Sequence, residues 1–260
     1  MSAPMTEIPL VPTSADAKDD IARVSVTAPL SWIRRGIDDF RRAPGLSLLY
    51  GFLFAGLCAG VYLLISGVPW YTTGYLTGLV VIGPFLASGL YVASRDIERG
   101  VAPSIDGSLR LIGRRRTYLA LFSLMLALVM SAWVRFSALL FALKFNTLSP
   151  SVEAYTSMLA SSEGWIALGY FIGIGFLLAT VVFVVSAVAI PLILDKDADF
   201  ITAIQKSYRV VTANPGAMTV WAALIVALTA IGVATLFVGL AVIFPVLGYA
   251  TWHSYRATVK

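Results

Sequence analysis

Charged residues are scarce in this sequence, and their scarcity sets the class of protein before any motif is considered. Only 13% of the 260 residues are Asp, Glu, Lys or Arg, whereas 58% are hydrophobic. A soluble globular domain carries about 25% charged residues. Because the apolar residues fall in runs long enough to cross a bilayer, the composition predicts an integral membrane protein.

Cysteine and histidine are nearly absent, which excludes several kinds of site. The one cysteine, Cys58, cannot form an intramolecular disulfide or a paired-cysteine metal site. The one histidine, His253, has no second histidine with which to hold a haem or a copper ion. No Asp, Glu or Lys lies in the middle of a predicted span, and the sequence contains no phosphate-binding loop or nucleophile elbow. We therefore expect no cofactor, no metal and no catalytic residue.

The first 28 residues differ from the rest of the sequence. They are polar, contain proline and show no apolar periodicity, which is typical of a disordered segment. They also lack a basic stretch followed by an apolar one, so they do not resemble a signal peptide. The sequence predicts a disordered cytoplasmic tail over residues 1–28 and a membrane domain over residues 29–260.

The membrane domain is predicted to be all-α, with six transmembrane helices. A span needs about 20 mostly apolar residues. The uncharged stretch 217–255 would form a helix of roughly 58 Å, about twice the thickness of the hydrocarbon layer, so it is predicted to hold two spans and a tight turn. The predicted spans are residues 46–66, 71–94, 118–143, 165–192, 217–235 and 238–255.

The positions of Lys and Arg predict the orientation. Of the 19 basic residues, all except Arg135 and Lys144 lie in four regions. These regions are the segment before the first span, the second-to-third and fourth-to-fifth connections, and the end of the last span. Six spans place these four regions on one side, which the positive-inside rule identifies as cytoplasmic. We therefore expect both termini in the cytoplasm.

Two parts of the sequence repeat each other and divide the protein into hairpins. GLVVIGPFLASGLYVASR, residues 78–95, aligns without a gap with GLAVIFPVLGYATWHSYR, residues 239–256. Upstream, LSWIRRGIDDFRRAPG and ITAIQKSYRVVTANPG each place four apolar residues at spacings of 3, 4 and 3 before a Pro-Gly pair. A middle hairpin, residues 117–195, matches more weakly, and whether it is a third copy stays open.

The upstream spacing predicts a short amphipathic helix on the cytoplasmic membrane surface before each hairpin. Proline then suits the first turn of the entering span, where its missing N–H is not needed. The predicted apolar stripes are Leu30, Ile33, Ile37 and Phe40 in the first copy and Ile201, Ile204, Tyr208 and Val211 in the second.

Basic residues at the predicted cytoplasmic surface are candidate contacts for anionic lipids, or for another membrane complex or a second copy of this chain. His253 forms the best polar cluster with Trp252 and Arg256, although an interfacial histidine bonded to backbone is the alternative interpretation. No nucleic-acid partner is expected. The candidate contacts are Arg34, Arg35, Arg41, Arg42, Arg114, Arg115, Arg116, His253 and Arg256.

Proline and glycine inside the spans predict kinks and close packing. Pro84 and Pro245 each free a carbonyl four residues back, which indicates a kinked helix or, alternatively, a broken helix lining a site. Glycines four residues apart favour close helix contact within a bundle or a dimer. These glycines are Gly56, Gly60, Gly74, Gly78, Gly169 and Gly173.

Three segments resemble the DUF2189 family of predicted bacterial integral membrane proteins: RRAPGLSLLYGFLFAG, GLVVIGPFLASGLYVASR and FPVLGYATWHSYR. AIQKSYRVVTANPGAMTVW is more loosely similar to a segment of YciC-like and glycerophosphodiesterase membrane domains. The family resemblance runs from about Trp32 to Arg256 and implies a protein of the bacterial inner membrane, with no agreed activity. The residues that carry it are Pro44, Gly45, Gly51, Pro84, Gly89, Pro245, Trp252 and His253.

The sequence leaves three functions open, because topology alone does not determine function. The favoured one is a non-enzymatic accessory, assembly or lipid-organising component of a membrane complex. The second is a small transporter or channel with a site at the mid-span prolines. The third is a membrane enzyme that acts on lipid head groups through His253 and nearby arginines.

Overall fold

The computed structural model describes residues 20–65, 86–145 and 162–260, and these residues form helices joined by short connections. The prediction of an all-α fold is confirmed for them, since their one β-type contact is an isolated bridge. In these ranges the helices are α1 (Ala28–Arg42), α2 (Pro44–Ile65), α3 (86–98), α4 (Ile105–Arg114), α5 (Arg116–Phe145), α6 (Ser162–Ser186), α7 (Ala189–Lys196), α8 (Phe200–Ala213), α9 (Pro215–Ala234) and α10 (Leu240–Thr258).

Several of these helices are suited to cross a membrane. Among the described residues, Arg116–Phe136, Ile172–Lys196 and Pro215–Ala234 are long and apolar enough. A fourth segment qualifies if α1 and Pro44–Gly60, which meet at 108°, are counted as one bent span. Only 22% of the most apolar window in each of the first and third segments is buried, so most of their apolar side chains face outward, as side chains in contact with lipid do. The protein is therefore membrane-embedded.

The stretch 217–255 forms two helices rather than one rod. α9 ends at Ala234 and α10 begins at Leu240. Between them Leu236 and Phe237 take positive φ angles of 53° and 69°, and Gly239 N donates a 2.8 Å hydrogen bond to the Thr235 hydroxyl. Because left-handed backbone cannot continue an α-helix, the chain changes direction here. The predicted second span, 71–94, is described only from residue 86, where it is helical and mostly buried.

Helix α10 is the centre of the packing, with α1 and α2 against it. It buries Tyr249, Trp252 and Tyr255, each at most 1% exposed. Nearby, the rings of Trp32 in α1 and Trp221 in α9 meet edge to face, with centroids 5.8 Å apart. These aromatic side chains contribute much of the apolar area that holds the bundle together.

Helices α1 and α8 share one burial pattern, in which each predicted apolar stripe is divided between the core and the outer surface. Leu30 and Ile201, which begin the two predicted stripes, are 58% and 64% exposed. Ile33 and Phe40 of the first stripe and Ile204 and Val211 of the second pack against the core, but the fully buried face begins two positions after the start of each stripe. The buried positions are Trp32, Gly36 and Asp39 in α1 and Ala203, Ser207 and Val210 in α8.

The predicted disordered tail is too long at its C-terminal end. Residues 1–19 lie outside the described residues, but Ile21 forms an antiparallel bridge with Val259. Asn214 fixes the same segment, since its amide donates to Ala22 O at 3.0 Å and accepts from Val24 N at 2.8 Å. The segment is polar but ordered because its backbone groups are hydrogen-bonded to the rest of the protein, and composition alone does not reveal such bonds.

Three of the glycines predicted to pack closely have no such contact in the described part of the chain. A methyl group added at Gly56, Gly169 or Gly173 would have no neighbouring atom within 4 Å. Gly60 is half-buried on α2, and Gly74 and Gly78 lie outside the described residues. Spacing alone does not say which side of an apolar helix packs against protein, and Gly56, Gly169 and Gly173 lie on faces that do not.

Close backbone contact occurs instead at two other glycines, both against α10. A methyl group at Gly51 would overlap the carbonyl of Ala241, and one at Gly36 would lie 2.6 Å from the carbonyl of Val246. Pro245 lies between these contacts, buried inside a helix that is continuous from Leu240 to Thr258. The other proline of the predicted pair, Pro84, lies outside the described residues.

Candidate functional site at the end of helix α10

The last two turns of α10 direct polar side chains toward carboxylates on three other helices. The carboxylates belong to Asp39 on α1, Glu98 on α3 and Asp195 on α7. Neighbouring residues of α10 reach different helices because successive side chains of an α-helix point about 100° apart around its axis. This group of side chains, which we call the α10 cluster, consists of Asp39, Ser94, Glu98, Arg99, Asp195, Trp252, His253, Tyr255 and Arg256.

The most buried part of the α10 cluster joins α1, α3 and α10. His253 Nε2 lies 2.8 Å from Asp39 Oδ2, and the Ser94 hydroxyl donates to the same oxygen at 2.5 Å. Asp39 is 4% exposed and Ser94 is fully buried. A carboxylate in such a position is tolerated only with hydrogen-bond donors, and these two side chains supply them. The partner of His253 is therefore a side-chain carboxylate, not the backbone.

A second part of the cluster lies closer to the surface and centres on Glu98. Trp252 Nε1 donates to one of its oxygens and Arg256 Nε donates to the other, each at 3.2 Å. The side chains of Arg256 and Glu98 are 44% and 40% exposed. An ion pair this exposed contributes about 0 to 1 kcal/mol, so its main effect is to orient the two side chains.

The third part of the cluster ties α10 to α7. The Tyr255 hydroxyl donates to Asp195 Oδ2 at 2.8 Å, and the Arg99 guanidinium lies 3.5 Å from Asp195 Oδ1. Tyr255 is fully buried, so Asp195 satisfies a hydroxyl that would otherwise lack a partner. All four helices that meet here are thus joined by side-chain hydrogen bonds.

The geometry of the α10 cluster best supports a structural role, in which the cluster fixes the four helices relative to one another. Ser94 hydrogen-bonds to the carboxylate and not to His253, so the pair lacks the hydroxyl-to-imidazole contact of an activated nucleophile. Among the described residues, no three or more His, Cys, Asp and Glu side chains come close enough to hold a metal ion.

The structure divides the predicted lipid and partner contacts into two groups. His253 and Arg256 belong to the α10 cluster, and Arg115 pairs with Asp197, so these three are committed to contacts within the chain. The other six are exposed, with Arg41 only loosely paired to Asp38 at 3.7 Å. These exposed arginines are Arg34, Arg35, Arg41 and Arg42 on α1, Arg114 at the end of α4 and Arg116 at the start of α5.

Sequence reasoning missed Asp39, Glu98 and Asp195. Asp39 stands beside Asp38 on a helix with four arginines, where a carboxylate is usually solvated. The sequence nevertheless contained a signal. Trp32, Gly36 and Asp39 each come immediately before a residue of the apolar stripe and have the same helical spacing as those residues, which marks a second face of α1. The small residue Gly36 on that face favours close packing.

Outward apolar helices around a buried polar centre define an integral membrane protein, and comparison with known proteins agrees. Residues 72–195 match the model of the DUF2189 family, described as a predicted integral membrane protein. The matched segment includes Ser94, Glu98 and Asp195 of the α10 cluster but ends before α10 itself. No curated protein and no solved structure matches the chain, and the looser likeness to YciC-like domains is not shown.

Proposed function

We propose that this protein is a non-enzymatic, lipid-organising accessory component of a membrane complex, in which α1 binds anionic lipid head groups. Helix α1 carries the proposal. It meets Pro44–Gly60 at 108°, so it lies across the end of α2. On its outward side it exposes Leu30 together with Arg34 and Arg35. Interfacial helices bind anionic membranes through this combination of apolar and basic side chains.

The inner face of α1 supports the same proposal. Gly36 and Asp39 hold it against α10, through a close backbone contact and the hydrogen bond to His253. A helix fixed in this way needs no ordering when lipid arrives, so less binding free energy is lost to conformational entropy. Helix α8 likewise exposes apolar side chains, those of Ile201 and Tyr208.

Replacing Arg34 and Arg35 together with glutamine is expected to weaken phosphatidylglycerol binding about 30-fold, since each basic residue near an anionic surface contributes about 1 kcal/mol. The measurement is titration of the purified protein with phosphatidylglycerol or phosphatidylcholine, read by native mass spectrometry. Phosphatidylcholine binding should be unchanged.

The matched control replaces Arg110, which pairs with Asp106, and Arg135, far along α5, with glutamine. It removes the same net charge without touching α1. An equal loss of phosphatidylglycerol affinity in the control, or no loss in the α1 variant, would contradict the proposal.

The proposed topology has six spans in a bacterial inner membrane, with both termini in the cytoplasm. It is supported by the position of the basic residues and by the turn that separates α9 from α10. Because Cys58 is the one cysteine, a Cys58→Ser chain accepts single reporter cysteines. With intact cells and a membrane-impermeant maleimide, Thr147→Cys should be labelled, whereas Val101→Cys and Lys260→Cys should react only after the membrane is opened. Labelling of Lys260→Cys in intact cells would refute an even number of spans.

A further inference from the structure

An open cavity of 310 Å³ lies between helices of the bundle, beside but separate from the α10 cluster. Its volume falls at the lower end of the range of about 300 to 1,000 Å³ that ligand pockets occupy. Most of its wall is apolar, and six aromatic side chains line it. These are Phe54, Tyr91, Phe122, Phe183, Trp221 and Phe244.

The polar groups in the wall are few, and two of them are engaged already. The Tyr91 hydroxyl is hydrogen-bonded to Thr251, whose own hydroxyl donates to Leu247 O at 2.7 Å. Ser186 is the remaining polar side chain of the wall, whereas each buried water needs two to four polar partners. An apolar occupant, by contrast, would gain the dispersion contacts that an empty cavity forfeits.

The cavity lies at the depth of the hydrocarbon layer. Trp221 is six residues into α9, about 9 Å along the helix, and Phe54 is ten residues into α2, about 15 Å. Both helices begin at the end of the bundle that carries the basic connections. The cavity therefore extends through the part of the membrane occupied by lipid chains and not by head groups.

Two helices contribute both to the cavity wall and to the apolar outer surface of the bundle. α5 and α6 supply Phe122 and Phe183 to the wall, and they expose Leu128 and Phe176, at 63% and 73%, elsewhere on their surfaces. A lipid chain packed on this outer surface therefore contacts the same helices that line an apolar space of ligand size. We propose that the cavity binds one acyl chain of a membrane phospholipid.

The test uses a phosphatidylcholine that carries a diazirine in the middle of one acyl chain. The full chain is reconstituted with this probe, illuminated, and digested to map adducts by mass spectrometry. The proposal expects adducts on the cavity residues Phe183 and Trp221, in addition to general labelling of the outward residue Phe176. The ratio of cavity adducts to Phe176 adducts corrects for differences in reconstitution.

Ala187→Leu adds three carbons from the cavity wall and is expected to lower that ratio about tenfold, because overpacking an occupied space excludes the chain. Ala87→Leu fills the space from α3 and serves as a second variant if the first does not purify as a single species. The matched control, Ala223→Leu, makes the same change at an exposed position of α9 and should leave the ratio unaltered.

Three results would overturn the proposal. Adducts confined to outward residues would mean that the cavity is a packing void. Unchanged cavity labelling in both filling variants would mean that the chain lies elsewhere. Labelling by a diazirine isoprenoid with none by the acyl probe would assign the cavity to another lipid class. Because neither α1 nor its arginines line the cavity, these results are independent of the test of anionic-lipid binding.

Discussion

Gly51→Ala is expected to lower the free energy of unfolding by about 3 kcal/mol, because the added methyl group overlaps a backbone carbonyl instead of a flexible side chain. The carbonyl belongs to Ala241 in α10, and Gly51 is buried on α2. Relief requires α2 and α10 to move apart, which weakens the stacked pair Phe54 and Phe244, whose ring centroids are 3.9 Å apart. The measurement is denaturant titration of the purified protein in mild detergent.

Gly56→Ala is the matched control, since it makes the same change five residues along the same helix. No atom lies within 4 Å of the added methyl, and alanine favours a helix over glycine by up to about 1 kcal/mol. The control should therefore be neutral or slightly stabilising. Equal destabilisation by both substitutions would show that the contact with Ala241 does not determine the stability of this bundle.

The membrane class, the all-α fold and the break between α9 and α10 could be predicted from the sequence. Each of these features follows from the free-energy cost of placing charged or unpaired polar groups in lipid, and the distribution of charged residues along the sequence shows where that cost is avoided. Backbone groups in lipid must be paired within helices, and an uncharged stretch longer than the bilayer has to turn. The tight turn predicted within residues 217–255 occurs at residues 235–239.

The packed faces could not be predicted, because hydropathy does not distinguish them from lipid-facing ones. Leu30 and Ile201 are as apolar as any core residue, yet both are exposed. In a membrane, an apolar residue is stable on either face, so shape decides which one packs. Gly36 and Gly51 approach α10 because a backbone fits against them, and no four-residue glycine spacing marks either.

The α10 cluster was only half predicted. His253, Trp252 and Arg256 stand together in the sequence and were recognised as a polar group. Their acceptors come from other helices, and Asp39 is separated from His253 by 214 positions. One sequence contains no information on which distant residues pair, so Asp39 looked like a solvated neighbour of Arg41 and Arg42.

Asp39→Ala is expected to destabilise the protein by about 3 kcal/mol, comparable to Gly51→Ala but by a different mechanism. The substitution removes the acceptor for both the mostly buried His253 and the fully buried Ser94. Leaving donors unpaired costs more than the hydrogen bonds themselves contribute, because those donors lose water as well. Asp39→Asn keeps an oxygen in place and should lose about half as much.

A double-mutant cycle separates this contact from general loss of packing. His253→Ala alone should also cost about 3 kcal/mol, since it leaves the Asp39 carboxylate with Ser94 as its remaining side-chain donor. In the double variant neither group is left to be satisfied, so the combined loss should fall short of the sum by at least about 1 kcal/mol. Strictly additive losses would mean that the two side chains stabilise α1 and α10 independently. The packing of α1 against α10 would then depend on contacts such as those of Gly36 and Trp32. The lipid-binding proposal relies on that packing.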